Sequence, residues 1–370
     1  MYYTLLFYFA FALVVSLILQ PLIISLSKKW QMLAQPNDRS EHKFPTPSLG
    51  GVGIFISLLL GGALFLIFDQ HHDWLFFMPS LALLFIVGIK DDLSDLSAGR
   101  KFLVQFIAAG IIIYHGVRIE SLFGLLGIYE LNYWVSVAFT FVAIVGITNA
   151  FNLIDGIDGL AGSLALINLL VLTFIFYLVG SYQYMILSAI VSGGILGFLR
   201  YNFHPAKIFM GDNGSLIIGF IMAVFIILIL QNPQLVTIHA HAPMLLLAIT
   251  SIPVFDTLRV FATRMIKGNS PFKADKSHIH HLLTNAGLNH RHASLLILIA
   301  NLLVITQTGL MLNISIEFIL IMVVISLIVI TRIFSLLRVF KWLNEIKTIE
   351  EESTQFESKN PFFTNSLELK

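Results

Sequence analysis

The sequence predicts an all-α polytopic membrane protein of about eleven transmembrane helices, with the N-terminus outside and the C-terminus cytoplasmic. Three observations carry this. Of 370 residues, 57% are hydrophobic and only 12% are charged, about half the charge of an ordinary soluble chain. The apolar residues gather into long runs between short polar stretches. And of the 22 Lys and Arg residues, all but Arg118 fall on alternate loops. A net charge of +1 gives no electrostatic case for nucleic-acid binding. The absence of cysteine removes disulfides, thiolate metal sites, Fe–S clusters and cysteine nucleophiles.

The runs are 5–26, 50–68, 74–89, 102–115, 134–151, 160–179, 184–199, 215–230, 242–261, 293–312 and 316–330. A bilayer core of ~30 Å takes about 20 helical residues, so the third, fourth and seventh runs are short. The first lacks a basic start and runs directly into Lys28 and Lys29, which argues against a cleaved signal. With eleven helices, the basic residues collect after the odd-numbered ones, which makes those loops cytoplasmic. The opposite loops are brief except 116–133, too short for a domain. Residues 1–331 thus read as a polytopic transmembrane domain. Residues 332–370 read as a cytoplasmic tail, an amphipathic helix followed by a polar disordered end.

Acids are the informative residues, because an Asp in the bilayer core costs about 2.5–3.5 kcal/mol on insertion scales. Asp91, Asp92, Asp95, Asp155, Asp158, Asp212 and Asp256 all stand at or inside cytoplasmic helix ends. Seven acids on one face need counter-charge, which a divalent cation with Lys and Arg would provide. In Lys90-Asp91-Asp92, adjacent carboxylates would repel by ~4 kcal/mol at 4 Å and an effective dielectric of 20. They therefore face different partners or share a cation; a solvated charged helix end is the plainer alternative.

Asn149-Ala150-Phe151-Asn152-Leu153-Ile154-Asp155-Gly156-Ile157-Asp158-Gly159-Leu160 sets amides and acids along one helical ridge. The loop it ends in carries no basic residue, which suggests a bound cation rather than a mere capped break. Pro205-Ala206-Lys207-Ile208-Phe209-Met210-Gly211-Asp212-Asn213-Gly214-Ser215 opens a helix. Capping explains Asp212 or Ser215, and a glycine-flanked helix start also suits phosphate or metal. In Ser277-His278-Ile279-His280-His281, three histidines in four positions suggest zinc. No Glu or Cys partner stands at ligand spacing, however, and basic neighbours fit an anionic phosphate or sugar better. The proline-rich stretch 36–51 presents Arg39, His42 and Lys43 in an extended loop, where lipid headgroups alone could account for them.

These five clusters, in this order on one face, resemble the polyprenyl-phosphate N-acetylhexosamine-1-phosphate transferases over about residues 35–283. The chain is most similar to the bacterial undecaprenyl-phosphate GlcNAc-1-phosphate transferase branch. The Asn-x-x-Asn-Leu-x-Asp-Gly-x-Asp-Gly-Leu and Pro-Ala-Lys-Ile-Phe-Met-Gly-Asp stretches carry the resemblance. The His-Ile-His-His spacing separates this branch from the muramyl-pentapeptide transferases.

The resemblance implies transfer of GlcNAc 1-phosphate from UDP-GlcNAc to undecaprenyl phosphate, with UMP leaving. It implies a multi-pass protein of the bacterial inner membrane with its active site towards the cytoplasm. By it, Asp212 and Asn152 are expected to ligate Mg²⁺, with Mn²⁺ able to substitute. Lys101 is expected to contact phosphate, and Asp91 and Asp92 to serve acceptor activation. Asp155 and Asp158 are expected to line the nucleotide pocket, with Phe209 stacked on uracil. Arg264, His278, His280 and His281 resemble the sugar and phosphate loop. Asn213 departs from the more usual Thr or Ser, a small polar exchange. Homodimers are common in the family. Another UDP-N-acetylhexosamine is the alternative donor. A cation-coupled transporter is the alternative class, although no internal repeat is visible and the acids sit at one face, not the midplane.

Overall fold

The computed structural model describes residues 1–34, 45–70, 72–270 and 277–359. Arg39, His42 and Lys43, the stretch 271–276 and the end beyond 359 lie outside them.

The described chain is almost wholly helical: α1 (Tyr2–Lys29), α2 (Gly50–Asp69), α3 (Met78–Ser94), α4 (Ala98–Tyr114), α5 (Tyr133–Ile154), α6 (Leu160–Leu178), α7 (Tyr182–Asn202), α8 (Asp212–Leu230), α9 (Gln234–Ile238), α10 (Pro243–Ile249), α11 (Ser251–Ile266), α12 (Ile279–Asn285), α13 (His290–Leu310) and α14 (Ile316–Lys359). Two short strands, β1 (Leu33–Ala34) and β2 (Thr46–Pro47), pair antiparallel. Among the described residues, nine helices are long and apolar enough to cross a membrane, ten if α10 and α11 form one broken span. The remaining run of the sequence, the fourth at 102–115, folds as α4, which has only 17 residues.

The run 242–261 does not continue as one helix. It breaks at Thr250 with a bend of 63°. Pro253 explains the position. It has no N–H to give to the carbonyl of Ile249, and its ring crowds that carbonyl. The break turns α11 so that Asp256, Arg259 and Arg264 lie on a helix of its own.

Helix α8 is the hub. It is apolar on every side and buried nearly throughout, as a helix without a polar face must be. Helices α3, α5, α2 and α6 pack around it, and α1 lies along α7. The crossing of α3 over the start of α8 is close. A Cβ on Gly88 would collide with the Asn213 backbone, so only glycine lets the two ends meet. The outer surface of the bundle carries large apolar side chains such as Leu303 and Ile321, which suit lipid. His239 and His241 bond Asn313 and the Leu312 carbonyl between neighbouring loops, a role in keeping with plain polar loop residues.

Candidate active site

The ends of α3, α4, α5 and α8 meet at one point. At the end of α3, Asp91 and Asp92 take different partners, as adjacent helical residues should. Asp91 Oδ1 accepts the Leu96 N–H at 2.7 Å, and its Oδ2 meets Lys101 Nζ at 2.9 Å. Lys101, in the first turn of α4, also pairs with Asp212 Oδ2 at 2.6 Å. One ammonium thus bridges two carboxylates 121 positions apart in the sequence from Asp91 to Asp212. The other Asp212 oxygen accepts from Asn152 Nδ2 at 2.9 Å, and the same amide reaches Ser215 Oγ at 2.9 Å.

Asp92 points elsewhere. Its two oxygens accept the backbone N–H groups of Asp212 and Asn213, each at 3.0 Å. It therefore caps α8 from a different helix, where a negative charge also suits the helix dipole. The side-chain amide of Asn213 adds a hydrogen bond to Asp92 and another to the Ser48 carbonyl. The exchange of Thr or Ser for Asn at 213 is thus more than a matter of size. The amide ties the α8 start to both α3 and the loop before α2.

The same device recurs on the facing side. Asp256, buried in α11, accepts the Ile279 N–H at 3.0 Å and so caps α12. Its other oxygen meets His278 Nδ1 at 2.8 Å, and Arg259 Nη2 lies 2.7 Å from Oδ1. Arg259 also donates to the Ser277 carbonyl. The α12 start, with its three histidines, is thereby fixed against α11.

The two sides touch at Gly156. A Cβ there would run into His280 Nε2, so the turn after α5 can accept the histidine ring only as glycine. His280 is 2% exposed. Desolvation first, then the neighbouring His281, His278 and His290, push its pKa down to about 3, against an opposing pull from Asp256. The ring is neutral at pH 7 and acts as a hydrogen-bonding group; the fixed positive charge on this wall comes from Arg264, which is itself buried.

Between the two sides lies a cavity of about 470 Å³. Its polar lining is Lys101, Asn149, Asn152, Thr257, Arg264, His278, His280 and His281. Phe102, Val145, Leu153, Val254, Leu258 and Phe261 supply the apolar part. Val145 precedes Asn152 by two helical turns, so the cavity runs roughly 10 Å along α5 away from the acids.

Of the residues singled out in the sequence, Lys101, Asn152, Arg264, His278, His280 and His281 line this space. Asp91 and Asp212 stand behind it, bonded to Lys101 and Asn152 of its wall, and Asp92 stands one step further back, bonded to the start of α8. Phe209 lies outside the lining. Its backbone N–H donates to the Pro47 carbonyl at 2.7 Å, and its carbonyl accepts the Gly50 N–H. Asp158 is also outside, its carboxylate bonded to His204 and to the Ala206 N–H.

Asp155 is part-exposed at the turn. Desolvation, joined by the charges of Asp212, Asp92 and Asp158, pushes its carboxyl up to about 8 from an ordinary 3.8. A folded state that keeps a proton the unfolded chain gives up loses stability as pH rises from about 4 to about 8. In chelator, Asp155→Asn is therefore expected to unfold at a higher temperature than the parent, by more at pH 9 than at pH 5. An equal difference at both values would count against this.

Two contributors, Gln105 and Asn213, carry no signal of their partners in sequence order, and a third, Asp256, carries one. Gln105 of α4 exchanges hydrogen bonds with Asn149. Asn213 and Asp256 act through tertiary partners. For Asp256 there was a signal, an acid inside an apolar run.

The profile of glycosyl transferase family 4 matches residues 74–230. A probable undecaprenyl-phosphate N-acetylglucosaminyl 1-phosphate transferase of Bacillus subtilis is 35% identical over 291 residues, 78% of this chain and 80% of that one. A decaprenyl-phosphate N-acetylglucosaminephosphotransferase of Mycobacterium tuberculosis is 32% identical, covering 74% of each chain. An undecaprenyl-phosphate alpha-N-acetylglucosaminyl 1-phosphate transferase of Escherichia coli K12 is 29% identical over 74% of this chain and 75% of its own. The matched region holds the α3, α4, α5 and α8 ends that build the acid cluster, and with that span of identity the chain belongs to glycosyl transferase family 4, in its polyprenyl-phosphate N-acetylglucosamine-1-phosphate transferase branch.

Proposed function

We propose that this multi-pass membrane transferase moves GlcNAc 1-phosphate from UDP-GlcNAc to undecaprenyl phosphate and releases UMP, at the cytoplasmic face of the bacterial inner membrane. The observation that carries this reading is the cavity between α4, α5, α11 and α12. It joins Lys101, Arg264 and the histidines to an apolar slot between α4, α5 and α11. A water-soluble diphosphate and a prenyl chain need those two environments side by side.

The acid cluster fits Mg²⁺. Asp91, Asp212 and Asn152 converge with oxygen donors, the set a hard dication takes. Asn152 gives its NH₂ to Asp212, which leaves its carbonyl as an acceptor beside the cavity. We assign Asp212 and Asn152 as the ligands; bound there, Mg²⁺ or Mn²⁺ would neutralise diphosphate oxygens.

Lys101 faces the cavity from between two carboxylates and is poised to take a phosphate oxygen. Arg264 and the neutral His280 would grip the sugar and phosphate from the α12 side. Phosphate monoesters have a second pKa near 6, so the lipid phosphate is mostly dianionic at pH 7 and barely needs a base. Direct attack on the sugar-linked phosphorus follows. Asp91 orients the acceptor or takes its residual proton, and Asp92 holds the α8 start that presents Asp212. A covalent phospho-aspartate would give net retention at phosphorus, while direct attack gives inversion. The test of the donor is a panel of UDP-sugars with undecaprenyl phosphate and purified protein, with and without Mg²⁺. UDP-GlcNAc turnover that needs Mg²⁺ is expected; a preference for another UDP-N-acetylhexosamine would move the donor assignment.

A further inference from the structure

Outside the cavity, Asp158, His204 and His290 bring three metal-ligating atoms within 4.8 Å of one another. They come from three places: the turn after α5, the loop after α7 and the first residue of α13. Asp158 Oδ2 lies 2.8 Å from His204 Nδ1 and 3.4 Å from His290 Nδ1. Ligands held at about 2.0–2.2 Å around a tetrahedral ion stand roughly 3.3 Å apart, so these separations suit one ion with little movement.

The Asp158 backbone N–H is also directed at His290 Nδ1 at 3.4 Å, a long contact that an ion bound to that nitrogen would replace. The carboxylate is held in place from outside: Ala206 N–H donates to Oδ2 at 3.1 Å, and Ser294 Oγ bonds the Asp158 carbonyl at 3.0 Å. The Asp158 side chain is fully buried, yet 39% of the His204 side chain is exposed. That exposure gives an ion a way in and a water its fourth position.

We propose that Asp158, His204 and His290 form a zinc-type metal site separate from the oxygen-rich magnesium site. Two imidazoles and one carboxylate favour zinc over magnesium. An ion there would fasten the α5–α6 turn, the α7–α8 loop that carries Phe209, and the start of α13. This site does not depend on the transferase reading.

The test uses full-length purified protein, stripped with a chelator and titrated with Zn²⁺ alone against a chromophoric competitor, then with Co²⁺. One equivalent of Zn²⁺ and tetrahedral Co²⁺ absorption bands are expected. His204→Ala and His290→Ala should each weaken binding at least tenfold, and His280→Ala should not. His204 is exposed, so its variant reports even where the buried His290 variant fails to fold. Absence of stoichiometric zinc in the parent, or binding lost in His280→Ala and kept in His204→Ala, would overturn the proposal.

Discussion

Asp212→Asn is expected to lower turnover by about 10²–10³-fold, the usual loss when one group that stabilises transition-state charge is removed, without lowering the unfolding temperature. Asparagine keeps the shape of the side chain. One oxygen still accepts from Lys101 or Asn152, the two partners of Asp212 at 2.6 and 2.9 Å. The negative charge is what disappears. Lys101 then keeps only Asp91, and the cluster loses half of the carboxylate charge that faces it. Folding gains little from that charge, because a carboxylate in this position is held away from water at a cost. Initial rates and a thermal melt on the same preparation separate the two effects. A scaffold without catalytic use for Asp212 would keep its function in this variant.

Asp92→Ala is expected to fail in the opposite manner, losing stability and activity together. The carboxylate serves three N–H donors at the start of α8: the Asp212 and Asn213 backbone groups and the Asn213 side chain. Alanine leaves them without an acceptor beside a buried helix. Unsatisfied buried donors cost about 1–3 kcal/mol each, so the loss should reach at least about 3 kcal/mol. Because α8 is the hub, its displaced first turn also moves Asp212 away from Lys101 and Asn152. Asp92→Asn keeps one acceptor and should recover part of the stability. An Asp92→Ala protein that melts like the parent but is inactive would instead assign Asp92 to chemistry.

The contrast between these two neighbours marks how far the sequence could be read. The convergence of Asp212, Asn152 and Lys101 was legible. Acids at helix ends in a charge-poor chain demand counter-charge, and two long motifs fixed their order. The helical bundle was legible for the same reason, since apolar runs of this length have few other fates. What remained hidden was partnership. Nothing in the order of residues says that Asp92 caps a helix 120 positions later, or that Asn213 reaches back to Ser48. The break at Thr250 had its signal in Pro253, but the apolar run continued through it and masked it. Phe209 and Asp158 share motifs with site residues, yet neither lines the cavity, because adjacent positions on a turn point in different directions.

The account rests on one cavity holding a cation-neutralised diphosphate next to a prenyl slot. Its most direct test is the nucleotide released when purified protein meets UDP-GlcNAc, undecaprenyl phosphate and Mg²⁺. The account predicts UMP in equal amount with a lipid diphospho-GlcNAc product, both lost on chelation and in Asp212→Asn. Release of UDP, or UMP formation indifferent to Mg²⁺ and to Asp212, would contradict it.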